Sequence, residues 1–479
     1  MILIFVPCLM VLNKNLQNDI WFLLNSGRYV LENGVPYIEP FTIHQGLDFV
    51  MQQWLSACTF WLTYNYLGVF GLHTLVFICY LVIIFIIYKI CMIVSEGYFF
   101  ISFCITLLSS LMLSTMMTGR PAIFSTLILA GELYLLEKYK NSNNMRWLLP
   151  LPVLSLLLIN LHAAIWPMII IIIIPYLIEA FRFRVGSFIH KGYKKGELII
   201  SIVMMAVAGF VNPYGIDAIT YLFKSYGAPE ISMVVEEMRY PSFNTFTGLV
   251  IISSLFIIAL IYVIFRKQKT KLRYVLLTVG TAILTLMATR NFTFFAICGV
   301  FPLAYLLRDI QLSIQKKAPV KPATLIIRKI LIGLIIMVVA TTLFLIPQSS
   351  FDSTNKIIKN EELMLIDTIQ IILNEGPTDD VVLYTGYNNG GMAEFMGIPA
   401  YIDPRAEVFL KKNNRKEDIL KEYSDLQSEK LYYKGFLDKY EFTHLILTKY
   451  DILYTYLKYD MNYRITFSNE KYTLYERVF

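Results

Sequence analysis

Residues 248–265 read GLVIISSLFIIALIYVIF and hold no charged side chain. A bilayer core is crossed by about 20 predominantly apolar residues in helical form. Lipid offers no hydrogen-bond partners, so such a stretch must satisfy its backbone groups internally, which a helix does. Three further blocks, 72–87, 167–178 and 330–346, have the same character. Together they predict a mainly α, multi-pass transmembrane helical bundle.

Composition agrees. Hydrophobic residues make up 56% and charged residues 16%, against roughly 25% charge in an ordinary soluble domain. Mean hydropathy is +0.57. These values exclude a soluble enzyme with a few surface helices, and they exclude disorder, which needs low hydrophobicity and high net charge. The net charge of +7 does not point to nucleic acid, because the basic residues sit in short loops between apolar blocks. Cys8, Cys58, Cys79, Cys91, Cys104 and Cys298 all lie in apolar stretches without metal-type spacing. They read as small buried hydrophobes, not as disulfides or ligands.

The basic loops set the expected orientation, since Lys and Arg gather on the cytoplasmic side. The clearest are 138–146, 182–195, 266–273 and 308–329. Between them the sequence predicts spans near 69–92, 98–117, 121–136, 147–162, 164–181, 197–211, 248–265, 274–289, 292–307 and 327–347. Residues 1–12 are short for a span, yet no basic residue precedes them and no small-residue cleavage site follows, so they read as a first span. The total is about eleven spans, with the N-terminus cytoplasmic and the C-terminus outside. This parity requires 53–67 to lie in the interface as an amphipathic helix, a second such helix being expected over 19–31. Residues 13–68 are then one outer loop, and 118–121, 160–164, 212–247 and 290–291 share its face. After Pro347 the composition turns charged and mixed. Residues 348–479 predict a small extracytoplasmic α/β domain beside the membrane domain of residues 1–347. Its expected helices are 360–374, 415–430 and 451–458, and its expected strands 381–384, 400–402, 445–448, 463–467 and 472–475.

Most unusual polar residues fall on the outer face. Asp19 opens the first amphipathic helix, as an N-cap or as a general base at the membrane surface. Glu39 lies in Gly34-Val35-Pro36-Tyr37-Ile38-Glu39-Pro40-Phe41, where two prolines stiffen the loop. His44 follows, but one His and one Glu do not make a metal site. Arg120 and Arg290 each follow an apolar span on the outer face, where positive charge is less expected. They read as headgroup-snorkelling side chains or as bidentate phosphate ligands. His162 is at an outer turn. Glu132 lies inside a span, where it could snorkel or pair with Lys138. Arg405 ends an expected strand, and 388–391 form an Asn-Asn-Gly-Gly turn.

The segment from Asp19 through Trp54, with Arg120-Pro121, Asn160-Leu161-His162, Asn212-Pro213-Tyr214-Gly215, Arg290-Asn291 and Ile402-Asp403-Pro404-Arg405, resembles the polytopic glycosyltransferase C superfamily. It is similar in style to lipid A aminoarabinose transferases and protein O-mannosyltransferases, within a largely uncharacterised bacterial membrane-protein group. The resemblance covers nearly the whole chain and implies transfer of a sugar from a polyprenyl-phosphate donor to a glycan, lipid or protein acceptor on the outer membrane face, with inversion. It implies Asp19 as the first-loop acid and Glu39 as a second carboxylate. Arg120 and Arg290 would hold the donor phosphate, with His44, His162, Asn291 and Arg405 as further candidates. Many members carry adjacent acids where this chain has the single Asp19 between Asn18 and Ile20, which leaves dependence on a divalent metal open; no metal ligands are assigned. The other expectations are a transporter or flippase, or a polymerase or ligase, of lipid-linked glycans.

Overall fold

Gly68 divides the long helix Trp54–Val94. Its φ of 61° and ψ of −158° lie in a region open essentially to glycine. Residues 54–67 and 69–94 are therefore two helices joined at a break. The computed structural model describes residues 5–478 apart from 13–15, 182, 186–187, 191–192, 226–227, 265–269 and 316–359. The expected span 327–347 lies outside the described residues. The chain divides into two units. The first comprises Met1–Lys14, His73–Gly215 and Glu237–Ser353, and the second Asn15–Leu72, Ile216–Glu236 and Thr354–Phe479.

The first unit is helical. Among the described residues of the chain, four helical stretches are long and apolar enough to cross a membrane: Trp54–Val94, Ala163–Ala180, Phe246–Ile264 and Thr289–Arg308. Shorter apolar helices cover Phe99–Ser114, Met145–Leu161 and Leu272–Met287. Leu and Ile cannot choose partners in lipid, so small polar residues fasten such helices together. Ser109 Oγ donates to the Ala296 carbonyl (2.6 Å), Ser155 Oγ to that of Met205 (2.7 Å), and Trp166 Nε1 to Ser155 Oγ (2.8 Å). A π-helical turn over Phe295–Gly299 presents carbonyls sideways; Gly299 accepts Thr278 Oγ1 at 3.0 Å. A short hairpin pairs Phe183–Val185 (β1) with Phe188–His190 (β2). All six cysteines are free; Cys104 is half-buried and the rest are buried.

Two acidic residues depart from the sequence reading. Glu132 is fully buried, and neither of its oxygens has a hydrogen-bond partner among the described residues. Lys138 does not reach it; its Nζ lies over the Tyr134 and Trp147 rings instead. Glu137, between the expected span 121–136 and the basic loop 138–146, is part of a buried cluster. Arg273 Nε and Nη2 donate to its two oxygens (3.1 and 3.2 Å), Tyr274 Oη donates to it at 3.0 Å, and Arg273 Nη1 pairs with Glu179. Arg273 ends a predicted basic loop, yet it is 1% exposed.

The second unit is built from three separated segments. Its sheet has the order β3-β4-β6-β5, where β3 is Leu383–Thr385, β4 His444–Thr448, β5 Tyr463–Ser468 and β6 Tyr472–Arg477. β3 and β4 are parallel; the other pairs are antiparallel. The β4 residues are buried except Thr448, as a central strand covered on both faces requires. Helices cover Asn360–Glu375, Gly390–Phe395, Ile419–Gln427, Tyr433–Tyr440 and Ile452–Leu457. The expected strand 400–402 is absent as a strand. Ala400 makes single bridges to Leu383 and to Thr42, so a residue of the loop after helix Asp19–Asn33 joins the sheet's edge.

Replacing Arg273 by Met leaves Glu137 and Glu179 buried without their cation. Breaking a buried pair in this way costs about 3–5 kcal/mol. Thermal unfolding in detergent should show a large drop for Arg273→Met, and Arg273→Met/Glu137→Met/Glu179→Met should recover most of it.

Candidate active site

In the second unit, Asn18 is the N-cap of helix Asp19–Asn33, and Asp19 is its first residue. Asp19 is half-buried, and a carboxylate there meets the positive end of the helix. The eight residues that follow, Ile20 to Gly27, are all buried, so the helix is enclosed more fully than its amphipathic pattern predicts. Gly27 lets it cross helix 54–67 at close range: a Cβ there would lie 2.1 Å from the Ala57 carbonyl oxygen. Arg28 adds a contact that the sequence did not reveal, donating to Asn25 Oδ1 (2.8 Å) and to the Phe395 carbonyl (3.1 Å). Burial pushes the Tyr387 hydroxyl well above its ordinary pKa, and the carboxylates of Glu407, Asp19 and Asp403 push it further. Tyr387 and Asp19 therefore share one neighbourhood. Tyr387 Oη donates to the Pro404 carbonyl at 2.7 Å.

Glu39 is buried and saturated. Its Oε1 accepts from Phe41 N (2.9 Å) and Arg405 Nη2 (2.9 Å), and its Oε2 from Thr42 N (3.0 Å) and Thr42 Oγ1 (2.6 Å). A carboxylate offers about four lone-pair sites, so none is left for a metal or for a substrate proton. Arg405 also pairs with Asp403 and, at 3.5 Å, with Glu394, and its guanidinium lies over the Phe41 and Phe49 rings. Burial alone would lower the Arg405 pKa, but Asp403, Glu39 and Glu394 hold it well above its ordinary value. Glu394 is driven the other way. Burial, then the Asp403 charge, raises its pKa well above the ordinary carboxylate value, which favours its uncharged form. Its sequence context, a lone acid in Gly-Gly-Met-Ala-Glu-Phe, gave no signal of this role.

His44 belongs to the same unit but to another cluster. Its Nε2 lies 2.8 Å from the Tyr401 carbonyl, and its ring packs against Tyr401, Phe409 and Tyr440. Burial lowers its pKa, against a smaller upward effect of the Tyr401 hydrogen bond. A neutral imidazole donating Nε2–H to that carbonyl satisfies the site. Among the described residues, Glu375, His444 and Glu476 bring ligand-type atoms within 4.8 Å of one another. They read as an ion-pair network, because His444 faces Glu375 at 3.2 Å and Glu476 Oε2 already accepts Arg464 Nε and Nη2. None of them is a residue singled out in the sequence.

The remaining candidates lie in the first unit. Arg120 Nη1 pairs with Glu237 Oε1 at 2.5 Å. Arg290 Nη1 donates to Met238 Sδ at 3.0 Å. The two arginines, 170 positions apart in number, thus touch adjacent residues of one turn, Glu236–Met238. A thioether is a weak acceptor, and among the described residues Arg290 has no carboxylate partner. Near Arg290, His162 Nδ1 is 2.7 Å from Ser125 Oγ. Asn291 closes the turn below, its Nδ2 donating to the Leu284 carbonyl at 2.8 Å. Glu237 escaped the sequence reading, although Glu236-Glu237 is an acidic pair in the loop 212–247.

No protein-family model matches the chain, and no curated protein matches it in sequence. Solved structures do match. An oligosaccharyltransferase of Archaeoglobus fulgidus, tethered to an acceptor peptide with an NVT sequon, superposes with a TM-score of 0.61 at 12% identity, over 93% of this chain and 68% of that one. The oligosaccharyltransferase AglB of the same organism, with an inhibitory peptide and a dolichol-phosphate, gives 0.59 at 10% identity, over 93% and 69%. ArnT from Cupriavidus metallidurans, bound to undecaprenyl phosphate, gives 0.52 at 10% identity, over 100% and 97%. The chain has the fold of these membrane transferases, the architecture that the sequence resemblance implies.

The Arg405 cluster has a pH signature. A carboxylate whose folded-state pKa is raised contributes least above that value, so Glu394 makes the fold less stable as pH rises from the ordinary carboxylate range upward. Glu394→Gln, which keeps the uncharged form, should unfold at or above the wild-type temperature at pH 8 and show a flatter profile between pH 5 and 8. Arg405→Gln should lose about 3–5 kcal/mol by the same assay, since it leaves Asp403 and Glu39 buried without a cation.

Proposed function

We propose that this chain is a membrane glycosyltransferase that moves a sugar from a polyprenyl-phosphate donor to a cell-envelope acceptor at the outer membrane face. The observation that carries the reading is the convergence of Arg120 and Arg290 on Glu237 and Met238. Two guanidinium groups bound to adjacent residues of one turn, one of them held only by a thioether among the described residues, suit a phosphate. The fold supports the reading, since AglB and ArnT are each found with an isoprenoid phosphate and the oligosaccharyltransferase also with an acceptor peptide.

The chemistry is a single in-line displacement. An acceptor oxygen bonds to the anomeric carbon as the bond from that carbon to the phosphate oxygen breaks. The electron pair leaves on the phosphate, where Arg120 and Arg290 stabilise the charge that develops. The acceptor proton goes to Asp19, the general base. One displacement inverts the anomeric centre. Glu39 supports this by position, holding Arg405 and the loop after helix Asp19–Asn33. Arg405, His44 and Asn291 then act as structural anchors.

Orientation follows from the basic loops: the N-terminus lies inside and the second unit outside. Ser428 and Ser142 are exposed, and the native cysteines are largely buried. In intact cells, Ser428→Cys should react with an impermeant maleimide and Ser142→Cys should not. The reverse pattern would refute an outer-face active site.

Asp19→Asn tests the base. Asn keeps the size of Asp and, like it, is tolerated at a helix start. The variant should fold and insert, while transfer of radiolabelled sugar from a polyprenyl-phosphate donor falls by about 10²–10⁴-fold, the range for a lost general base. Wild-type transfer by Asp19→Asn would remove Asp19 from the mechanism.

A further inference from the structure

The proposed phosphate site already holds an anion, and the chain supplies it. Glu237 is on Arg120, Met238 is on Arg290, and the Arg239 carbonyl accepts both Thr289 N (2.9 Å) and Thr289 Oγ1 (3.0 Å). Three successive residues thus close over Arg120 and the turn 289–290. A carboxylate and a phosphate seek the same N–H groups of a guanidinium, so they compete wherever one fork must serve both. The Arg120–Glu237 pair is partly exposed, at 24% and 34%. Exposed pairs of this kind are weak, and the Met238 thioether is a weaker acceptor still.

We propose that Glu237 is a placeholder for the donor phosphate: it occupies Arg120 in the empty chain and yields that guanidinium when the phosphate arrives, which releases residues 237–239. The proposal rests on the reading that Arg120 and Arg290 bind that phosphate. It also gives Glu237 a task after transfer. The donor is a phosphodiester with a single negative charge. The product is a phosphate monoester, which carries about −1.5 to −2 at pH 7. Two arginines therefore hold the product more tightly than the donor. The return of Glu237 to Arg120 competes with the spent lipid phosphate and favours its release. Glu237 so lowers affinity for both lipids and keeps product from blocking turnover.

Farnesyl phosphate, a soluble isoprenyl monophosphate, is the probe, titrated calorimetrically into the purified full chain in detergent. Glu237→Gln and Glu237→Ala should both bind it more tightly than wild type, by about two- to fivefold, the scale set by a partly exposed ion pair. Arg120→Gln should bind it at least about tenfold more weakly, as loss of a charge-assisted contact implies, and adding Glu237→Gln to Arg120→Gln should then gain nothing. Trypsin should cut after Arg239 faster when farnesyl phosphate is present. Unchanged or weaker binding by both Glu237 variants, with Arg120→Gln still weakened, overturns the placeholder and leaves the phosphate site standing. Wild-type binding by both Arg120→Gln and Arg290→Gln overturns the phosphate reading itself.

Discussion

One guanidinium shared among three carboxylates fixes the second unit. Arg405 draws together Glu39 from the loop after helix Asp19–Asn33, Glu394 from a short helix and Asp403 from the turn beside it. A buried charge without a partner is far more costly than a buried pair is favourable. Each member therefore depends on the others, and segments 366 residues apart are held in one register. The raised pKa of Glu394 eases the surplus of negative charge, and the Phe41 and Phe49 rings cover the cation. With Glu39 held, the loop lies against Ala400: Ile43 N donates to the Ala400 carbonyl at 3.1 Å, and Asp48 N to that of Asn414 at 3.1 Å. Helix Asp19–Asn33 precedes this loop, so the placement of Asp19 follows from an ion cluster far from it in sequence.

The first unit solves a different problem. Hydrophobic burial gives little drive between helices when the surrounding solvent is itself apolar. Specific polar contacts must decide which helices touch. Ser109, Ser155 and Thr278 do so one hydroxyl at a time. Arg273 does so for three helices at once, linking Leu272–Met287 to Ala122–Ser142 through Glu137 and to Pro167–Ala180 through Glu179. Glu132 stands apart from this economy, since no described residue bonds its carboxylate.

The helices were legible because lipid leaves a chain one way to satisfy its backbone, and apolar length reports that directly. The break near residue 68 was legible too, from glycine at the end of a stretch too short to span. Strands β4, β5 and β6 were legible from short runs rich in β-branched and aromatic residues. Residues 400–402 look like a strand by composition, but only Ala400 pairs, because its neighbours are held by Leu383 on one side and the 42–43 loop on the other. Helices Gly390–Phe395 and Tyr433–Tyr440 are short and depend on packing: Phe436 and Tyr440 are set among Tyr401 and Phe442. Glu39 shows the limit most clearly. Its stiff, proline-flanked loop is visible in the sequence, whereas the partner that saturates it lies at position 405. Glu237 was invisible for the same reason, since nothing local to residues 236–238 points to Arg120.

Exposure alone does not decide which arginine can bind a phosphate; prior commitment of its N–H groups does. Arg273 and Arg405 are buried and pair with five carboxylates between them: Glu137 and Glu179 for the first, Glu39, Asp403 and Glu394 for the second, although Arg405 Nη1 itself has no hydrogen-bond partner among the described residues. An incoming phosphate would have to displace a buried ion pair from either, at a cost no single anion recovers. Arg120 pairs with a partly exposed carboxylate, and Arg290, among the described residues, with a thioether. Both contacts are weak, and the two partners lie on one turn, Glu236–Met238. The clamp arginines and the two arginines proposed as phosphate ligands thus differ in how firmly each is already held. The same residue type, recurring across one chain, thus locks the fold in two places and is held far more loosely in a third.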